Sequence, residues 1–249
     1  MPDLALLHTD ARIATLSLNR PDARNALSID LLAALHAHAD ELAKRDDLSV
    51  LVLTGEGKSF CAGMDLKAVL SSPDLPLALL SSLADFTLKL RTLPQVTIAK
   101  VNGAAIGGGC GLACVCDLAI THADSKMGFP EVDLGVCPAV VAPWLVKKIG
   151  PARARHILLS GGLLTGQTAF DLGIVNHLVS SRDELDAATT QLAERLAAGG
   201  PHALRATKQL LNEIDGSLDA AILRRGAELS ATVVNDPATQ ATLRAKLGI

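Results

Sequence analysis

A lone carboxylate, Glu131, follows Pro130 shortly downstream of a glycine cluster, Gly107-Gly108-Gly109. A carboxylate can carry a proton between atoms, and the free N–H groups of a helix that opens on glycines can hold a developing oxyanion. Together they suit acid–base chemistry beside a carbonyl. Glu131 is embedded among Met127, Phe129, Val132, Leu134 and Val136, a setting that would bury the carboxyl and raise its pKa towards neutrality. The plainer reading is a surface glutamate at a strand end, which is commoner for an arbitrary Glu.

A second glycine-bearing turn, Ser59-Phe60-Cys61-Ala62-Gly63-Met64-Asp65-Leu66, follows a buried apolar run. Backbone amides from both turns could converge on one oxygen, and each such donor is worth about 2.7–4 kcal/mol when removed from an oxyanion site. Alternatively, the glycines serve only tight helix–strand packing. Spacing alone leaves both readings open.

Other candidates fall on inspection. Gly55-Glu56-Gly57-Lys58-Ser59 imitates the end of a phosphate-binding loop, but Val52 stands where its first glycine is required. Gly107 to Gly111 never meets the G-x-G-x-x-G register of a dinucleotide site. Cys110 has no histidine in a recognisable pattern nearby, and His36 and His38, two apart on a helix, do not face one another. The five cysteines are odd in number and mostly in apolar stretches, which fits reduced core residues; Cys110, Cys114 and Cys116 lack the spacing of a metal knuckle, so no metal is expected. Asp117 reads as a structural carboxylate bonding nearby backbone amides.

A net charge of −3 with four Phe, one Trp and no Tyr excludes a basic, base-stacking surface, so no nucleic-acid partner is expected. Met1-Pro2-Asp3-Leu4 lacks the regions of a secretory signal and no apolar run reaches the roughly 18 residues of a membrane span. A cytoplasmic protein without a membrane partner is the expectation.

The elements that must position these residues are legible in part. Leu4 to Asn19 alternates as a β-hairpin, with Ala14, Leu16 and Leu18 on one side. Ser28 to about Lys44 carries Leu31, Leu32, Leu35, Ala39 and Leu42 at helical spacing, and Val50 to Leu53 and Val96 to Val101 read as buried strands. Ser71 to Pro76 reads as a loop that lies over a binding site, before a helix to about Leu90. Gly107 to Cys116 reads as a helix, Leu118 to Ile120 as a strand, Thr165 to Leu172 as a helix and Val175 to Val179 as a strand. Ser181 with Glu184 forms a capping-box signal. This order suggests stacked β-β-α turns. From Pro201 onward only helices fit, and Leu210, Leu211, Ile214, Leu218, Ile222 and Leu223 give them an apolar face that must pack on the core or on a neighbouring subunit.

Four segments in order, Ser59 to Leu66, Val101 to Gly109, Cys116-Asp117 and Gly128-Phe129-Pro130-Glu131-Val132-Asp133-Leu134-Gly135, together with Arg20-Pro21 and Asn25-Ala26-Leu27, resemble the signatures of the crotonase, or enoyl-CoA hydratase/isomerase, superfamily. The resemblance covers almost the whole chain. It implies an α/β fold, a crotonase-like spiral of ββα repeats over residues 1–195, with a helical C-terminal trimerisation region over 196–249 that builds a homotrimer or a dimer of trimers. It also implies catalytic residues: the amides of Met64 and Gly108 bind the carbonyl of an acyl-CoA thioester, and Glu131 matches the family's downstream glutamate. Ala26, Ala62, Asp65 and Leu66 fall where the family binds coenzyme A, Lys67 is near enough to meet a phosphate, and Gly111 is grouped with these substrate-binding positions. No cofactor is implied, coenzyme A being part of the substrate.

One departure matters. Two-glutamate hydratases of the family carry a second glutamate where this chain has Gly111, so catalysis must lean on Glu131. The expected activity is an enoyl-CoA hydratase; alternatives are an enoyl-CoA isomerase that shifts a double bond and a non-catalytic acyl-CoA-binding subunit. Gly135 to Pro143 resembles a single-glutamate branch that includes hydratases of branched acyl-CoA substrates, which favours hydration. Asp133, two residues beyond Glu131, would share its face on a strand and substitute for the missing acid. The tail from Thr239 to Ile249 lacks the family's usual pattern, leaving Arg244 or Lys246 to meet a phosphate.

Overall fold

The computed structural model describes residues 3–248; Met1, Pro2 and Ile249 lie outside the described residues. The initial alternation folds as a hairpin in which β1 (Ala5–Asp10) pairs antiparallel with β2 (Ile13–Leu18). Ala14, Leu16 and Leu18 point inward and are fully buried, as a period of two requires. Next, α1 (Ile29–Leu42) starts where the Ser28 hydroxyl accepts the Leu31 N–H and buries Leu31, Leu32, Leu35, Ala39 and Leu42.

Three spiral turns follow. The first is β3 (Val50–Gly55), β4 (Ser59–Cys61), the short α2 (Leu66–Val69) and α3 (Leu75–Thr92). The second is β5 (Val96–Val101), β6 (Ala104–Ile106) and α4 (Gly108–Val115). The third is β7 (Leu118–His122), β8 (Lys126–Gly128) and, after a 3-10 turn, α5 (Ala142–Ile149). The chain continues through α6 (Pro151–Ser160), β9 (Leu163–Thr165), α7 (Gly166–Asp171), β10 (His177–Val179) and α8 (Leu185–Ala197). It ends with α9 (Pro201–Ile214), α10 (Ala220–Asn235) and α11 (Pro237–Leu247).

The first strand of each turn enters a six-stranded sheet, ordered β1-β2-β3-β5-β7-β10, and the second enters a four-stranded sheet, ordered β4-β6-β8-β9. Within the larger sheet only β1 runs antiparallel. Its central strands are apolar on both faces because both are covered. Leu51, Leu53, Ala99 and Val101 belong to the main core, whereas Val50, Val52, Ile98 and Ile120 pack on Leu185 and Ala193 of α8.

Several expectations need correction. The capping box does not form: Ser181 Oγ bonds the Glu184 carboxylate at 2.9 Å instead of a helix amide, around a 3-10 turn that precedes α8. Residue 195 lies inside α8, and Leu223, Ala227, Ala231, Val234 and Leu243 of the last two helices join the main core. The apolar residues after Pro201, expected to pack on the core or on a neighbouring subunit, divide on the single chain: Leu223 is buried in the core, whereas Ile214 is 72% exposed and Leu210, Leu211, Leu218 and Ile222 are exposed too.

Asp117 has the structural place its sequence context suggested. Its Oδ2 accepts from the Thr97 amide at 2.8 Å and meets Lys208 Nζ at 2.8 Å, while Oδ1 lies 3.3 Å from Arg91. Burial alone would raise its carboxyl, but the Lys208 charge and hydrogen bond, with the Thr97 amide and Arg91, hold it below the usual range.

Candidate active site

Two backbone turns meet at the open end of the spiral. Residues 24–27 and 62–65 are stitched together: the Ala62 N–H donates to Arg24 O at 3.0 Å, the Leu27 N–H to Gly63 O at 2.7 Å and the Asp65 N–H to Leu27 O at 2.9 Å. Arg20 locks the seam, donating to Ala26 O at 2.6 Å and pairing with Asp65 at 3.1 Å. The Met64 N–H is left without a carbonyl partner among the described residues.

The Gly108 N–H is free as well, because Gly108 is the first residue of α4 and helix starts leave their amides unpaired. The two turns are close: a Cβ built on Gly63 would lie 3.8 Å from the Gly108 nitrogen and 2.8 Å from Ile106 O. Two unpaired donors and the positive end of a short helix therefore share one small region.

Glu131 is delivered by the turn after β8. The Leu134 N–H donates to Pro130 O at 3.2 Å, the Val136 N–H to Glu131 O at 2.9 Å, and Gly135 closes the turn at φ 76, a left-handed conformation that suits glycine. The Glu131 side chain comes up against Gly107, and its Oε2 is buried without a hydrogen-bond partner among the described residues. Burial pushes its pKa up to about 7.

The space in front of Glu131 is a cavity of about 90 Å³. Gly63, Met64, Gly107 and Gly108 line it beside the carboxylate; Leu66, Leu80, Leu83, Leu134, Val136, Val140, Val141 and Val234 give it apolar walls. Ser230 also lines it, but both capacities of its hydroxyl are in use: it donates to Cys137 O at 2.8 Å and accepts from the Ala139 N–H at 3.2 Å. Cys61, Cys110, Cys114 and Cys116 are free and buried; Cys137 is half-buried at the cavity edge.

The site residues read from sequence divide accordingly. Glu131, Met64, Gly108, Ala62 and Leu66 line the cavity. Ala26 and Asp65 sit in the seam behind it, and Lys67 is exposed on α2. Gly111, mid-helix in α4, does not line the cavity: the space beside its Cα is filled by Val141, whose Cβ would lie 2.6 Å from a Cβ at 111.

Asp133 is a correction. It lies in a 3-10 turn, not a strand, so it does not share the face of Glu131; its carboxylate turns outward and accepts the Gly162 N–H at 2.7 Å. Arg244 donates to Leu70 O at 3.1 Å and Lys246 to Asp133 O, one bond each, which leaves further N–H donors and the charge on both side chains. Ser230 and Val234 carry no signal in the sequence, and Ile106 and Arg20 carry one only as members of a motif.

A double-layered ββα spiral that sets a buried, unpaired carboxylate beside two free main-chain amides is the architecture of the crotonase superfamily. The sequence profile described as enoyl-CoA hydratase/isomerase matches residues 8–245. The 2,3-dehydroadipyl-CoA hydratase of Escherichia coli (strain K12) is 36% identical over 203 residues, 81% of this chain and 79% of its own. The crotonyl-CoA hydratase of Syntrophomonas wolfei is 32% identical over 211 residues, 84% of this chain and 81% of its own. A solved enoyl-CoA hydratase from Mycobacterium avium superposes with a TM-score of 0.88 at 28% identity, covering 100% of this chain and 97% of that one. The chain belongs to the enoyl-CoA hydratase/isomerase family and is an enzyme of that family.

Proposed function

We propose that the enzyme catalyses the reversible hydration of an α,β-unsaturated acyl-CoA thioester. The observation that carries this reading is the buried, unpartnered Glu131 Oε2 facing a cavity beside the free Met64 and Gly108 amides. The two N–H groups donate to the thioester oxygen. Glu131 takes a proton from water as the water oxygen bonds the β-carbon; the π electrons move towards the α-carbon and thioester oxygen as an enolate. The proton then passes from Glu131 to the α-carbon, so that the net change is addition of one water. Donors already aimed at the oxygen stabilise the enolate more than the neutral thioester, which lowers the barrier. A pKa of about 7 lets Glu131 act as base and then as acid at neutral pH.

The seam of Ala26, Ala62, Asp65 and Leu66, with Lys67 exposed beside it, is the shelf on which coenzyme A lies. The reaction needs no further cofactor. The exposed stripe of Leu210, Leu211, Ile214, Leu218 and Ile222 is the face for a homotrimer or a dimer of trimers. No described helix is long and apolar enough to cross a membrane, and a cytoplasmic place is the reading carried from the sequence.

One observation favours a second reading. With Val141 against Gly111, Glu131 is the one carboxylate among the described residues lining the cavity, and one carboxylate suffices to move a proton between two carbons in a double-bond shift. Straight, branched and 3-enoyl-CoA thioesters incubated in heavy-oxygen water separate the two: incorporated oxygen supports hydration, and a moved double bond without it supports isomerisation. Absence of any turnover would sink both.

A further inference from the structure

We propose that Val141 is the residue that fixes this site as a one-carboxylate centre and thereby sets its reaction specificity. The inference rests on the reading of Glu131 as the proton carrier.

Gly111 lies in the interior of α4 with its φ outside the left-handed range, so no backbone requirement explains the missing side chain. Glycine in a helix interior is unfavourable relative to alanine. Packing supplies the reason: a Cβ at 111 would collide with Val141 Cγ1 and lie 2.6 Å from Val141 Cβ, closer than real Cβ atoms approach. Val141 is 3% exposed and lines the cavity that Glu131 faces. Position 111 is therefore closed by a β-branched side chain that also forms the cavity wall.

Val141 cannot easily withdraw. Its N–H donates to Pro138 O at 3.2 Å, and its carbonyl accepts the Trp144 N–H at 3.1 Å and the Leu145 N–H at 3.2 Å. The segment before it is tied to α10 by Ser230, and Gly226 of α10 approaches so closely that a Cβ there would lie 2.5 Å from Ala139 O. With two χ1-branching methyl groups and a fixed backbone, Val141 has few rotamers to choose from. A polar side chain at 111 requires a smaller residue at 141, so the two positions act as one unit. As the chain stands, an attacking water meets Glu131 on one side and hydrocarbon on the other.

Two experiments on the intact protein test this. The first is a thermal-unfolding cycle of Gly111→Ala, Val141→Gly and the double variant. The added methyl should lower Tm in the parent and lower it much less, or raise it, beside Val141→Gly; equal shifts in both backgrounds would overturn the proposal. The second compares Gly111→Glu, alone and with Val141→Gly, for hydration of a 2-enoyl-CoA against double-bond shift of a 3-enoyl-CoA. The single variant should lose both activities, and the double should raise the hydration-to-shift ratio at least about tenfold over the parent, a fraction of the roughly 100- to 10,000-fold that a well-placed general acid or base supplies. A Gly111→Glu protein as active as the parent, or a folded double variant with an unchanged ratio, would overturn it. If the parent turns over none of these thioesters, the proposed function fails, while the thermal cycle still decides whether Val141 closes position 111.

Discussion

Gly107 and Glu131 meet where Gly107 has no side chain: a Cβ at 107 would lie 2.7 Å from Glu131 Oε1, and Gly107 holds φ 53 at the mouth of α4. A methyl group there is strained by the backbone and displaces the carboxylate. Gly107→Ala should therefore lower kcat about 100-fold, the usual result of a displacement near 1 Å. It should also cost about 1–3 kcal/mol of stability, because φ 53 with ψ −117 is a backbone conformation that suits glycine alone. Steady-state kinetics and urea unfolding on one preparation read both; an active, fully stable variant would contradict the contact.

Replacing Glu131 by glutamine separates activity from stability. The folded-state pKa, about 7, lies above the ordinary value of 4.5. Below the ordinary value both states hold the proton; as pH rises through this window the unfolded chain releases it first and the fold loses stability. At about 1.36 kcal/mol per unit, the ionised carboxyl costs up to about 3 kcal/mol above the folded pKa. Glu131→Gln should be inactive yet more stable than the parent near pH 8, with the gain gone near pH 4. In the parent, kcat/KM should climb with pH through a single ionisation and level off above about 7. A pH-independent stability difference would argue against the buried, neutralised carboxyl.

The Gly108 amide can be removed without deleting a side chain. Gly108 is the first residue of α4, a position where proline is well tolerated. Gly108→Pro should lower kcat/KM by about 100- to 1000-fold, the loss usual for one oxyanion donor. Gly108→Ala is the control: it keeps the N–H and asks only that Leu27 Cδ1 retreat from 3.1 Å. Equal losses in the two variants would mean that bulk, not the donor, matters.

Asp117 serves the fold. Lys208 is 6% exposed and its charge faces Asp117 at 2.8 Å. Asp117→Asn should destabilise by about 3–5 kcal/mol because it leaves that ammonium buried without its counter-charge. The depressed carboxyl contributes stability above its unfolded pKa that disappears as pH falls through the folded one. Denaturant midpoints near pH 7 and near pH 3 should thus differ less in the variant than in the parent.

What the sequence disclosed was local. Ser28 and the apolar spacing behind it announced α1, and the β-branched, mostly apolar run of Val96 to Val101 announced β5 to its ends. Glu131, Met64 and Gly108 were found because each lies inside a short motif. Asp133 was misplaced because the brackets of a turn, Pro130 and Gly135, were read through as strand; in a 3-10 turn residues two apart do not share a face. The walls were unreadable. Ser230 and Val234 join Glu131 around the cavity only through folding, and nothing in their neighbourhoods marks them; Val141 lies in the Gly135 to Pro143 stretch, but its closure of position 111 shows only in the fold. Four-residue α2 is too short to show a period, and its start is set by the Asp65 side chain accepting the Ala68 N–H.

The Ser230 hydroxyl grips the carbonyl of Cys137 across 93 residues of chain. A growing polypeptide that has already made the proton-carrying glutamate thus has no finished chamber around it. The hollow is sealed only when a much later stretch arrives, so a half-synthesised chain should be chemically silent even with every reacting group in place.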